Sequence, residues 1–203
     1  MFSILRFTYE KMGVMKCLLI IAIVFVTFKG NAQQSKTTIR KGFAFGAAFG
    51  IANSSLQFPS KKQSSTDLGI NWKVGYLLNP KLALLLNGSV SVYEYSGIGR
   101  PRKRDFGGVF PALQYWLHDK FWILAGVGLG TDAPIFYDLK QDNKDETKYY
   151  SGIGVISSLG YEFYRKKNFT LDLQVRLNYS KVNLPEGNIN GLNTALLLGI
   201  NFY

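Results

Sequence analysis

From Phe169 to Tyr179 the chain changes polarity at every residue. Phe169, Leu171, Leu173, Val175, Leu177 and Tyr179 alternate with Thr170, Asp172, Gln174, Arg176 and Asn178. Successive side chains of an extended strand point to opposite faces, so this segment predicts one apolar face and one polar face. No stretch after Phe28 is apolar for the length of a transmembrane helix, so any membrane span must be built from strands.

The same alternation recurs. Leu68, Ile70, Trp72, Val74, Tyr76 and Leu78 oppose Gly69, Asn71, Lys73 and Gly75. A third segment sets Leu82, Leu84, Leu86, Val90 and Val92 against Ala83, Leu85, Asn87, Ser89 and Ser91. Comparable patterns run through Val109 to Leu117, Phe121 to Leu129, Gly152 to Phe163 and Ala195 to Phe202. A first, glycine-interrupted segment covers about Ile39 to Ala52. Eight strands of about 9–12 residues result, the length a tilted strand needs to cross a bilayer.

The gaps between them alternate short and long. Leu78-Asn79-Pro80-Lys81, Leu117-His118-Asp119-Lys120 and Tyr164-Arg165-Lys166-Lys167-Asn168 are tight. The stretches 53–66, 94–105, 132–148 and 181–191 are long and hold most of the Gly, Pro, Ser and charge. A membrane β-barrel threaded from the periplasm has this rhythm, with short turns inside the envelope and long loops outside. The polar faces are rich in Gly, Ala, Ser and Asn, which suit the narrow interior of an eight-stranded barrel. They carry too few charges to solvate the surface of a free-standing barrel. The expected fold is therefore all-β, an eight-stranded antiparallel transmembrane β-barrel.

The N-terminus reads as a targeting segment. Lys11 and Lys16 precede an apolar run from Cys17 to Phe28, then Lys29-Gly30-Asn31-Ala32-Gln33. This describes a secretory signal peptide over 1–32, cleaved after Ala32, with Met12 or Met15 as alternative starts and the barrel over 33–203. Cys17, the one cysteine, lies inside that segment, so the mature chain is expected to hold neither thiol nor disulfide. The net charge of +11 could suggest nucleic acid, but export argues against that partner, and lipid head groups suit both charge and address. An aromatic content of 15% fits girdles at two membrane interfaces.

Three stretches carry a family resemblance. Gly75-Tyr76-Leu77-Leu78-Asn79-Pro80-Lys81-Leu82-Ala83-Leu84 resembles the hairpin between the second and third strands of small outer-membrane barrels. Pro111-Ala112-Leu113-Gln114-Tyr115-Trp116-Leu117 followed by Phe121 to Gly130 resembles their fourth and fifth strands. Leu198-Gly199-Ile200-Asn201-Phe202-Tyr203 is similar to their aromatic last strand. The mature region as a whole resembles the OmpA- and OmpW-like outer-membrane β-barrel domains common in Bacteroidota. That resemblance implies a monomer in the Gram-negative outer membrane, inserted by the barrel-assembly machinery and surrounded by lipopolysaccharide. It implies no cofactor.

Chemistry is sparse in the sequence. Gly126-Val127-Gly128-Leu129-Gly130 lacks both the spacing and the helix of a dinucleotide loop. One histidine, His118, has no partner at metal-ligand spacing and falls in a short periplasmic turn. There it cannot activate an outer-side serine, as lipid A deacylases and acyltransferases require. Lys73, Glu162, Asp172 and Arg176 fall on inward faces, and the 165–168 turn brings Glu162 and Asp172 nearly opposite. Two such carboxylates could work as acid and base, but a structural ion network, with Arg176 or Lys73 neutralising them, is the expected arrangement. Arg100, Arg102, Lys103 and Arg104 are candidate contacts for lipopolysaccharide phosphates. The sequence therefore predicts a non-enzymatic outer-membrane barrel with a structural, surface-binding or narrow porin-like role and a mostly filled lumen. The alternative is a membrane-embedded enzyme modifying lipid A.

Overall fold

A computed structural model describes residues 40–96, 101–135, 148–185 and 187–203. The expected signal peptide and Arg100 lie outside them. Eight strands form a closed antiparallel barrel in chain order: β1 (Gly42–Gln57), β2 (Lys62–Asn79), β3 (Leu82–Ser96), β4 (Pro101–His118), β5 (Phe121–Pro134), β6 (Tyr150–Lys166), β7 (Phe169–Leu184) and β8 (Gly187–Phe202). The first and last strands close the barrel, with Phe45 opposite Phe202 and Gln57 opposite Asn190. Stepping round the ladder from Gly46 through Lys73, Asn87, Phe110, Gly128, Gly154, Ser180 and Gly191 returns to β1 at Leu56 rather than Gly46. That offset is the stagger of tilted strands.

Through the lower and middle barrel the two faces are as the alternation requires. Leu173, Val175, Leu177 and Tyr179 are exposed, whereas Asp172, Gln174, Arg176 and Asn178 are buried inside. Val92 alone among the outward positions expected on β3 is fully buried.

The long gaps are the main correction. Only residues 58–61 separate β1 from β2, and 185–186 separate β7 from β8. Residues 97–100 join β3 to β4, and 135–149 join β5 to β6. Most of 53–66 and 181–191 is strand, because the alternation continues there with its sense reversed. Asn53, Ser55, Gln57, Lys62, Ser64 and Thr66 point outward, as do Lys181 and Asn183, while Leu56, Val182 and Ile189 point inward and are buried. Asn53 Nδ2 donates to Thr66 Oγ1 at 2.8 Å on the outer surface. Toward this end the wall is thus built like a soluble barrel, apolar within and polar without.

The opposite end is finished by tight turns. Each of the strands entering them, β2, β4 and β6, carries an irregularity just before the turn, at Leu77/Asn79, Trp116/His118 and Glu162/Tyr164. A bulge adds local twist where the chain must reverse. Lys167 takes a φ of 51°, the left-handed conformation that its tight turn demands. Exposed rings line the closure seam at this level. Phe202 stacks on Phe45 at 4.7 Å and meets Phe169 at 5.4 Å, and Phe169 meets Tyr164 at 6.1 Å.

Candidate functional site

Among the described residues, the lumen is where many ionisable and polar side chains converge, and it is arranged in layers. The lowest closes on Glu162, which is 1% exposed. Trp116 Nε1 donates to Glu162 Oε1 at 2.7 Å, and Tyr203 Oη donates to the same oxygen at 3.4 Å. Arg40 and Arg165 clamp Oε2, with Arg40 Nη2 at 3.2 Å and Arg165 Nε at 3.1 Å. Both guanidinium groups also donate to the carbonyl of Asp119 in the β4–β5 turn. Arg40, just ahead of β1, lies under the barrel mouth with its guanidinium 4.6 Å from the Trp116 ring centre. Tyr203 completes the floor, edge-on to Trp116 at 5.2 Å.

Asp172 pairs directly across the ladder with Glu162, yet it belongs to a separate set of bonds. It accepts from Trp122 Nε1 at 3.1 Å, Gln174 Nε2 at 2.7 Å and Asn201 Nδ2 at 2.9 Å. Trp122 reaches it because its ring lies over Gly160, its cross-strand partner, where any Cβ would collide with the indole. Lys73 donates to Gln114 Oε1 at 2.9 Å and sits 4.3 Å from the centre of the Trp122 ring. It forms no ion pair with either carboxylate among the described residues.

Arg176 does not neutralise Glu162 or Asp172. It lies four residues above Asp172 on the same strand face, roughly 13 Å along the strand, beyond the reach of a direct pair. Its guanidinium donates to Ile70 O at 2.6 Å, Val90 O at 3.2 Å and Ser91 Oγ at 2.8 Å. Asn178 Nδ2 donates to Ser89 Oγ at 2.8 Å in the next layer. Above these comes an apolar layer of Leu56, Tyr93, Phe106, Val182 and Ile189.

The basic cluster expected at the surface divides. Arg104 turns inward, because β4 buries Phe106, Phe110 and Ala112 and the same face continues up to Arg104. Its Nε donates to Asp132 Oδ1 at 2.6 Å, and Tyr93 Oη donates to Asp132 Oδ2 at 2.8 Å. Held in that buried pair, Arg104 does not face lipid phosphates. Lys103 is bonded to Asp67 at 2.6 Å. Arg100 and the side chain of Arg102 lie outside the described residues.

Sequence reasoning put Lys73, Glu162, Asp172 and Arg176 on inward faces but missed what holds them. Arg40 lay at the edge of the least regular segment, with no alternation to mark it. Trp116 and Trp122 were legible as inward residues, and an indole N–H buried beside a carboxylate is a signal that could have been used, since a buried donor needs an acceptor. Glu162 and Asp172 already have their donors and are sealed from solvent, so the arrangement fastens strands together and offers no open place for a substrate between the carboxylates.

No protein-family model matches the chain, and no curated protein does. Solved structures do. Neisserial surface protein A is 16% identical, with 79% of this chain and 96% of that chain covered, at a TM-score of 0.56. Ail, the attachment invasion locus protein of Yersinia pestis, determined in complex with the heparin analogue sucrose octasulfate, is also 16% identical. Its match covers 80% of this chain and 100% of that chain at a TM-score of 0.50. A closed antiparallel barrel of eight strands, apolar toward lipid and polar within, has the architecture of a small outer-membrane barrel. The fold is the one shared by OmpA- and OmpW-like barrels.

Proposed function

We propose that this protein is a non-enzymatic outer-membrane barrel, exported by an N-terminal signal, whose lumen is closed and whose work is done by its wall. The observation that carries this reading is the double closure of the lumen. Leu56, Tyr93, Phe106, Val182 and Ile189 fill the barrel at the outer end, each at most 1% exposed. The Arg40–Glu162–Trp116–Tyr203 floor fills the other. Eight strands leave little room for a channel even without such layers. The enzyme alternative finds no support in His118, which ends β4 beside the periplasmic turn, at the other end of the barrel from the 58–61 and 185–186 connections. In planar bilayers the protein is expected to give a quiet baseline. Stable, long-lived conductance steps would refute the closed lumen.

The partner proposed for the upper wall is the sugar-phosphate layer of lipopolysaccharide. The outward face of β7, β8, β1 and β2 above the apolar band is made of amides and hydroxyls, with Lys62 and Lys181 as its charges and no acid among the outward residues described there. Amide-rich surfaces hydrogen-bond sugars, and ammonium groups meet phosphates. Exchanging Lys62 and Lys181 for Gln is expected to lower the lipopolysaccharide retained through purification by several-fold. Undiminished retention would leave this wall without its partner.

A further inference from the structure

The periplasmic rim carries a second charged surface, which neither the closed lumen nor the outer wall uses. Lys41 precedes β1, Lys81 lies in the β2–β3 turn and Lys120 in the β4–β5 turn, while Lys166 ends β6 and Lys167 opens the β6–β7 turn. All are exposed, and none is paired with a carboxylate among the described residues. The exposed acidic side chain on this rim is Asp119, and the buried carboxylate nearby, Glu162, is already held by Arg40 and Arg165. The cations are therefore spread round the circumference, one or two at each place where the chain enters or reverses.

Their height is set by the rings beside them. Lys41 is two residues below Phe43, Lys120 adjoins Phe121, and Lys166 pairs across the ladder with Phe169, two residues below Tyr164. Outward-facing rings at the ends of barrel strands mark the head-group level of the bilayer. At about 3.3 Å per strand residue, the Cα atoms of these lysines stand within roughly 3–7 Å of that level. This is the depth of lipid phosphate, and a lysine can extend its stem along the apolar surface to reach it.

We infer that this lysine ring binds anionic phospholipid head groups, such as phosphatidylglycerol, in the leaflet from which the short turns emerge. The inference rests on the orientation adopted above, with the short turns periplasmic. A ring of cations opposed by one exposed acidic side chain among the described residues attracts anionic lipid electrostatically, and the attraction weakens as salt screens it. The ring thereby gives the two rims different lipids, phospholipid below and lipopolysaccharide above.

The test uses the full barrel in nanodiscs of phosphatidylcholine containing a minor fraction of phosphatidylglycerol, with retained lipid counted by mass spectrometry. At low salt, phosphatidylglycerol is expected to be enriched about fivefold over its bulk share, the factor one favourable lysine contact supplies. Half-molar salt should abolish the enrichment in the unaltered protein, a readout that needs no variant. A variant with Lys41, Lys81, Lys120 and Lys166 replaced by Gln and Lys167 by Asn should lose it, whereas replacing all five by Arg should keep it. Asn is chosen at position 167 because it tolerates positive φ. The Lys62→Gln, Lys181→Gln variant should retain the enrichment, which separates this ring from the outer wall. Absence of enrichment in the unaltered protein, its survival in the five-fold variant, or salt-sensitive capture by isolated peptidoglycan without any lipid preference would each overturn the assignment.

Discussion

Replacing Glu162 by Gln is expected to lower the unfolding free energy of the barrel by about 3–5 kcal/mol, the cost of removing one partner from a buried ion pair. The neutral amide leaves Arg40 and Arg165 facing each other, and Arg40 has almost no solvent to take the lost partner's place, with its side chain 5% exposed. Trp116 Nε1 keeps an acceptor in the Gln oxygen, so the loss belongs to the charges. A second change isolates this. Arg40→Met in the Glu162→Gln background removes the stranded cation and should recover at least half of the lost stability. Urea unfolding in detergent micelles followed by tryptophan fluorescence reads both effects. A cost below about 1 kcal/mol for Glu162→Gln would class the clamp with exposed pairs, and the floor would then not be what closes the lower end.

Trp122→Ala should be comparably damaging, at about 3–5 kcal/mol for a large ring removed from a packed interior. The indole fills the space over Gly160, carries Lys73 on its face and donates to Asp172. Trp122→Phe separates these roles, because it keeps a ring against Gly160 and Lys73 but withdraws the donor. Its expected cost is about 1–3 kcal/mol, the penalty for leaving a buried acceptor short of a partner. Equal stability of Trp122→Phe and the unaltered protein would show that Gln174 and Asn201 satisfy Asp172 by themselves.

The residues that were legible in the sequence were those whose strands obey one rule throughout. Glu162 and Asp172 could be placed opposite each other because the turn between them is too short to allow another register, and they pair as a tight hairpin requires. Arg176 could be placed inside for the same reason, yet its partners could not be read. Two of its three bonds go to the carbonyls of Ile70 and Val90, and a backbone carbonyl leaves no mark on a sequence. The upper strands were misread as loops for a different reason. Asn53, Ser55, Gln57, Ser64 and Thr66 have the composition of a loop, and the few apolar residues that mark the inner face, Leu56, Val182 and Ile189, stand on the face that is polar lower down. A reader following one polarity rule loses the strand where the surroundings change from lipid to water. Arg104 was misplaced by the same error, since continuing the face of Phe106 upward would have turned it inward.

The reversal of polarity on β1, between Ile51 and Asn53, also sets how thick a bilayer the barrel tolerates. From Phe43 to Ile51 the outward column is apolar, and with the strand tilt of a small barrel this gives a band of about 20–25 Å. That is thinner than the roughly 30 Å hydrocarbon core of an average bilayer. In a thicker membrane the Asn53–Thr66 ladder would be drawn into hydrocarbon, or the lipid would have to compress around it. Such hydrophobic mismatch favours thin membranes, so the wall itself selects the bilayer in which the protein comes to rest.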